Sequence, residues 1–392
     1  MAALMRSSNA PAVRQRGVSV IEIMVGLVIG LLGVLIITQV FAAFEGQKRT
    51  TTSATDSIES GDIALYLLER EIRIAGFGIN SSAFFGCQVE ANDSTRGGAL
   101  PNIAFPLVPL TIAQGAAGAP DAITLTYGNS DGYGNGAVFS PSSATSVNAL
   151  NRAGIFVGDL LVAAGPGTDA NLGAPPASGN VCQLMEVTQL PTASGQTDVI
   201  NYNNASYTLN GVAVAPTHNP VQGLGVNFSG SGTLLDLGPK PRGVTYSIVV
   251  SADGNHYQLQ SADLFVNQTA AVADDVIDLQ AQYGLDNGIN NGTLSHALYT
   301  ADDGIVDEFV DSLPAVPTAT DYSRVLAVRV ALLARGKMVE KVNPATGLCT
   351  TTTVKPTWGG GTAFVINTPN WGCYHYRVFE TTIPMRNVIW KQ

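Results

Sequence analysis

Hydrophobic positions are spread unevenly along this chain. From Ile23 to Phe44 they form one run, IMVGLVIGLLGVLIITQVFAAF, broken only by the polar Thr38 and Gln39. A run of that length covers the ~30 Å of hydrocarbon in a bilayer and predicts a membrane-crossing helix. After the polar stretch Glu45 to Ser57 the pattern changes. Ile58, Leu65, Leu68, Ile72 and Ala75 recur mostly three or four residues apart, which predicts an amphipathic helix with one apolar face, ended by Gly76 and Gly78. A helix continuous from Val18 to Ile74 would be ~85 Å long, with about half of it beyond the membrane. A lone helix cannot bury such a stripe, so a sheet is expected to cover it.

Beyond Gly78 short apolar runs alternate with turn-rich stretches. Strands are expected at Ala122–Tyr127, Gly154–Ala164 (bent at Gly158-Asp159), Cys182–Thr188 and Leu224–Phe228, with 112–121, 165–180 and 202–218 read as loops. Further strands are expected at Val244–Val250, His256–Gln260, Arg324–Ala334 and Tyr376–Pro384. Ala252-Asp253-Gly254-Asn255 between two of them is a hairpin signal, with Tyr246, Ile248 and Val250 facing inward. Leu326, Val328, Val330 and Leu332 share one face. No repeat period is present, which excludes a propeller or solenoid. The expected class is α+β: a long N-terminal transmembrane helix whose far half packs on an antiparallel, β-rich body.

Composition narrows the setting. Charged residues are 13% of the chain against ~25% in an average soluble domain, and glycine reaches 42 residues. The net charge of −10 falls by three, to −13, without the first seventeen residues, which hold Arg6, Arg14 and Arg16 and no acid. An acidic surface repels phosphate, so no nucleic-acid partner is indicated. Cys87, Cys182, Cys349 and Cys373 include no CxxC pair and have only His375 nearby, which argues against zinc and for two disulfides in an oxidising compartment. Proximity in sequence pairs Cys87 with Cys182 and Cys349 with Cys373, while three connectivities stay open.

The N-terminus adds a specific signal. A secretory signal is cut after its apolar stretch, whereas here the small residue Gly17 precedes it and follows Arg14-Gln15-Arg16. The segment Arg16-Gly17-Val18-Ser19-Val20-Ile21-Glu22 resembles the type III signal of type IV prepilins, with Val18 where the family usually has Phe or Met. The resemblance implies cleavage by a prepilin peptidase between Gly17 and Val18 and N-methylation of Val18. It also implies that Glu22, an acid costly to place inside a membrane helix, pairs with the N-terminal amine of a neighbouring subunit. Gly26 and Gly30 form a GxxxG pair that lets helix backbones approach. The arginines before the apolar run place the N-terminus in the cytoplasm and the body in the periplasm, although Lys48 and Arg49 follow the far end.

The helix end, Ser60-Gly61-Asp62 to Ile74-Ala75-Gly76-Phe77, resembles PilW-type minor pilins, with Glu71 where their pattern has Asp. So do Asp275-Val276, Leu279-Gln280, Tyr283-Gly284-Leu285-Asp286, Asp302-Asp303-Gly304-Ile305-Val306-Asp307, Val328 to Leu333, and Ile383-Pro384-Met385-Arg386-Asn387. The likeness covers roughly 14–79 and 243–388. It implies a leader at 1–17, a helix at 18–75 with 18–44 as membrane and assembly segment, and a body at 76–392 with a variable middle at about 87–240 and a PilW-like part at about 243–390. It implies a minor pilin of the inner membrane that helps initiate pilus assembly and stays at or near the fibre tip. Its partners would be other minor pilins, the major pilin, the inner-membrane assembly platform and a large tip adhesin. The mature length, 392 less 17, is large for a repeating subunit and favours a low-copy cap. A type II secretion pseudopilin and a tip adhesin are the alternatives.

Other chemistry has little support. Asp286, Asn287, Asn290 and Asn291, then Asp302, Asp303, Asp307 and Glu308, suggest calcium. Counted from Asp286, however, Gly288 and Asn291 occupy the third and sixth places, against the EF-hand register. No nucleophile elbow, P-loop or HExxH is present, and His218, His256, His296 and His375 are scattered, so no enzyme and no cofactor are expected. Intact-mass measurement of membrane-expressed protein with a prepilin peptidase should show loss of residues 1–17. A chain left whole, or cut beyond Phe44, would contradict the signal reading.

Overall fold

The computed structural model describes residues 17–389 apart from 80, 133–135, 170–178, 222–223, 253, 291–292, 295–299, 341, 343–345, 360 and 369. The expected leader before Gly17, Asp253 of the hairpin turn, His296 and Asn291 lie outside the described residues. The chain forms two compact units, Met1–Ser53 and Ala54–Gln392. One helix, α1 (Val20–Ile74), supplies residues to both.

In the first unit every large apolar side chain from Val18 to Phe44 is between 47% and 74% exposed. The window around them has a mean hydropathy of 2.9 and is long and apolar enough to cross a membrane.

In the second unit α1 buries one face. Ser57, Gly61, Ala64, Leu68, Ile72 and Ala75 step by three or four residues and are all buried. Ile58, expected on that face, is instead 37% exposed, and Leu65 is only partly covered. The true stripe escapes a hydropathy reading because its first half is built from Ser, Gly and Ala. Small residues are needed there: a Cβ on Gly61 would lie 2.0 Å from the ring of Phe379.

The stripe covers two antiparallel sheets. The five-stranded one runs Gln268–Asp274, Tyr257–Asp263, Arg242–Val250, Ala122–Tyr127, Leu110–Ala113. The four-stranded one runs Glu308–Val310, Val276–Leu285, Val325–Arg335, Tyr376–Pro384. Leu68 and Ile72 share a core with Ile123, Leu125, Val244, Tyr246, Leu279, Val328, Val330 and Leu332. Val325–Arg335 is buried on both faces: Leu326, Val328, Val330 and Leu332 join the helix side, while Ala331 and Leu333 meet Trp358 and Phe364. Tyr246 is buried and Ile248 partly so, but Val250 is 44% exposed because it lies at the strand end, past the helix.

Among the described residues the remaining strands form a nine-stranded sheet, drawn from Gln88 to Gly238, and three two-stranded pairings. Among the described residues the one parallel pairing of the nine-stranded sheet joins Gln88–Ala91 to Asn180–Glu186. The strand expected from Gly154 begins at Leu160 and runs to Asp169, since Gly158, at φ +94°, turns the chain. All three stretches read as loops carry strand residues: Leu110–Ala113 runs into 112–121, Leu160–Asp169 runs into 165–180, and the hairpin Tyr207–Leu209 with Val212–Val214 lies within 202–218. Short edge pairings of Thr, Ala and Val among glycines carry too little period to be read.

The end of α1 is stitched to the body from three directions. The Asn387 side chain, in the short helix α2 (Arg386–Ile389), donates to the carbonyls of Ile74 (3.0 Å) and Ala75 (3.1 Å). The Gly76 N–H donates to Thr126 O at 2.9 Å, and Tyr127 donates its hydroxyl to Glu71. Gly76 takes φ +81° against Pro109, a left-handed turn open to glycine. Gly61→Leu should overpack the helix against Phe379 and cost ~1–3 kcal/mol, and Asn387→Ala ~1 kcal/mol, both read from thermal melts of the full chain in detergent.

Candidate functional site

The residues that sequence reasoning selected at the N-terminus stay together and without cover. Ser19 accepts from the N–H groups of Glu22 (3.0 Å) and Ile23 (3.2 Å), starting α1 with Glu22 in its first turn. Gly17 and Val18 precede the helix and are exposed. A Cβ on Gly26 or Gly30 would meet nothing within 4 Å, so the GxxxG surface is bare within the chain. Thr38 satisfies its hydroxyl on its own helix, at Leu35 O (2.9 Å), leaving the segment little polar character. Each of these apolar side chains gains ~1.5–3 kcal/mol on leaving water. A surface of this size therefore needs lipid or other helices around it.

The cysteines form two disulfides. Cys87 joins Cys182 with 6.1 Å between Cα atoms, and Cys349 joins Cys373 with 4.8 Å. The first links neighbouring strands of the nine-stranded sheet, and the second ties the loop before the last strand. Chain entropy gives closures of 95 and 24 residues worth ~5 and ~3 kcal/mol.

The acidic loops serve the fold. Asp286 is fully buried and accepts from the N–H groups of Asp303 (3.3 Å) and Gly304 (2.7 Å), while Asp302 takes a two-point pair with Arg324. Asp307 accepts from Gly288 N–H at 2.5 Å. These carboxylates are engaged by protein donors, and among the described residues no group of three or more His, Cys, Asp or Glu side chains is placed to hold a metal. Elsewhere, buried Glu186 accepts from Tyr207 (2.7 Å), Thr217 N–H (2.7 Å) and His218 N–H (3.0 Å), which pins the 203–219 excursion. His218 is spent on Asn92 O at 2.6 Å, and His375 sits 3.6 Å from Glu340.

Sequence reasoning missed one polar cavity, of about 600 Å³, where the ends of the two helix-bearing sheets meet. Arg335, 4% exposed, stacks between Tyr257 and Tyr374, with ring centres 5.1 and 4.5 Å away. Its Nη2 donates to Asn255 O at 2.7 Å and lies 3.8 Å from Asp275, as does Lys337 Nζ. Burial raises the Asp275 pKa, with the two cations pulling the other way. Because Asp275, Tyr257 and Arg335 are far apart in sequence, no local motif signals the cluster.

One unit presents an apolar helix, and the other is a helix-on-sheet α+β body. Residues 245–387 match the family model described as PilW, Type IV Pilus-assembly protein W, and that match supports assigning the chain to the PilW family. The family places the chain in type IV pilus assembly. Comparison with curated proteins returns no match, and comparison with solved structures returns none.

Within the matched region Asp278 is buried, with Oδ2 unpaired and Oδ1 accepting from Gln280 at 2.8 Å. Burial pushes its pKa up to about 7. The folded state thus holds a proton that the unfolded chain, at ~4, releases, so stability is lost as pH rises through that window. The change in Tm caused by Asp278→Asn should therefore be more favourable at pH 8 than at pH 5. An equal change at both would show that the group ionises normally.

Proposed function

We propose that this chain is a minor pilin that helps initiate type IV pilus assembly. In this reading a prepilin peptidase cuts after Gly17, the apolar half of α1 holds the N-terminus at the cytoplasmic face of the inner membrane, and the body lies in the periplasm. The subunit then joins other minor pilins and the major pilin on the assembly platform, and is carried to or near the tip of the fibre. Glu22 pairs with a neighbour's N-terminal amine, and Gly26 and Gly30 let the helices close up. The observation that carries the reading is that an apolar helical segment without cover in the chain stands in the same polypeptide as a PilW-matched body.

The experiment is complementation of a deletion strain of the native host. Glu22→Leu should leave the chain processed and membrane-bound, because it removes only a charge from an apolar segment, and lower the number of pili by about tenfold or more, the ~1.4 kcal/mol per decade of a lost pairing step or greater. Undiminished piliation without the chain would remove the reading. Loss of protein secretion in place of piliation would move the subunit to a type II secretion system.

A further inference from the structure

The half of α1 in the second unit carries a second pattern on the face turned away from the sheets. Ile63, Tyr66 and Ile74 lie there, 45%, 65% and 38% exposed. Acids precede them on the same face, at Asp56, Glu59 and Asp62, and bases accompany them at Arg70 and Arg73. Arg73 pairs with Glu69 of its own helix, while among the described residues no ion pair engages Glu59, Asp62 or Arg70. The face is therefore polarised, negative toward the helix N-terminus and positive toward its C-terminus, with apolar side chains between.

The spacing within it is regular. Glu59-x-x-Asp62-Ile63 is answered eleven residues later by Arg70-x-x-Arg73-Ile74. Eleven residues come close to three turns, so the two triplets point the same way, ~16.5 Å apart along the axis. Sliding one copy of the helix by three turns beside another sets the acids and Ile63 of one copy against the bases and Ile74 of the other.

We propose that this face docks on the same face of a second copy of the chain, the two helices parallel and offset by three turns. Glu59, Asp62 and Ile63 of one copy then lie beside Arg70, Arg73 and Ile74 of the other. The inference rests on the pilin reading for its direction. Antiparallel helices would also match the charges, but two chains anchored by their N-termini in one membrane cannot adopt that arrangement. Parallel helices in register would place acid on acid and base on base, which disfavours that pairing. Exposed ion pairs contribute little affinity. The charges therefore select the register, and the apolar side chains together with confinement of both copies supply the attraction. An offset of this size raises one anchor relative to the other, so the contact belongs to subunits leaving the membrane during assembly. It calls for two copies, still few against a fibre of repeating subunits.

The test uses the full chain in its piliated host, as two differently tagged copies, one with Ile63→Cys and one with Ile74→Cys. On mild oxidation the 63-to-74 dimer should exceed the 63-to-63 and 74-to-74 dimers at least fivefold. Reversing the acids of the first copy (E59R with D62R) should abolish it, and adding R70E with R73E to the second should restore it. All six substituted positions, 59, 62, 63, 70, 73 and 74, lie on the face turned away from the sheets, so the buried stripe is left intact. Equal yields, a dominant in-register dimer, or no dimer in cells where the chain is processed and pili form would overturn this contact and leave the pilin reading standing. An unprocessed chain would overturn both.

Discussion

The close approach of α1 to its two sheets is the contact on which the rest of the body depends. Helix and sheet meet where the helix is smallest, at Ser57, Gly61 and Ala64, and the ring of Phe379 fills the space that a side chain on Gly61 would take. Below that point Leu68 and Ile72 enter a core shared by strands from both sheets. Removing the helix would uncover core residues of both sheets at once. The same contact holds the last turn of the helix where Asn387, Thr126 and Tyr127 can satisfy its end.

That arrangement divides the labour along one helix. The first unit leaves its apolar side chains from Val18 to Phe44 exposed. The second unit spends one face on its own sheets and retains a polarised outer face. Several of the body's buried charges are committed to structure: Asp286 caps a turn, Glu186 pins an excursion, and Arg335 is stacked between tyrosines.

The match to the PilW family covers the part of the chain that forms most of the helix-bearing sheets. Two of the segments that resemble that family in sequence, the helix end and Ile383 to Asn387, lie more than three hundred residues apart and meet at the Asn387 cap. Their resemblance is thereby given a physical basis. A helix terminus has carbonyls that need donors, and the donor comes from the far end of the chain.

Much of this was legible from residues alone where a period was long and strongly apolar. The membrane-capable run, the helix end at Gly76, the strands Ala122–Tyr127 and Tyr376–Pro384, and the long strand around Val328 all follow from spacing and composition, because burial against lipid or a sheet demands those periods. The inner face of α1 was misread at Ile58 because glycine, alanine and serine carry no hydrophobic signal, although close packing selects them. Short edge strands, the place of the Val250 strand end, the pairing of four cysteines among three possibilities and the Arg335 cluster were decided only by tertiary structure. Each depends on which distant residues come to lie side by side, and local spacing carries no information about that.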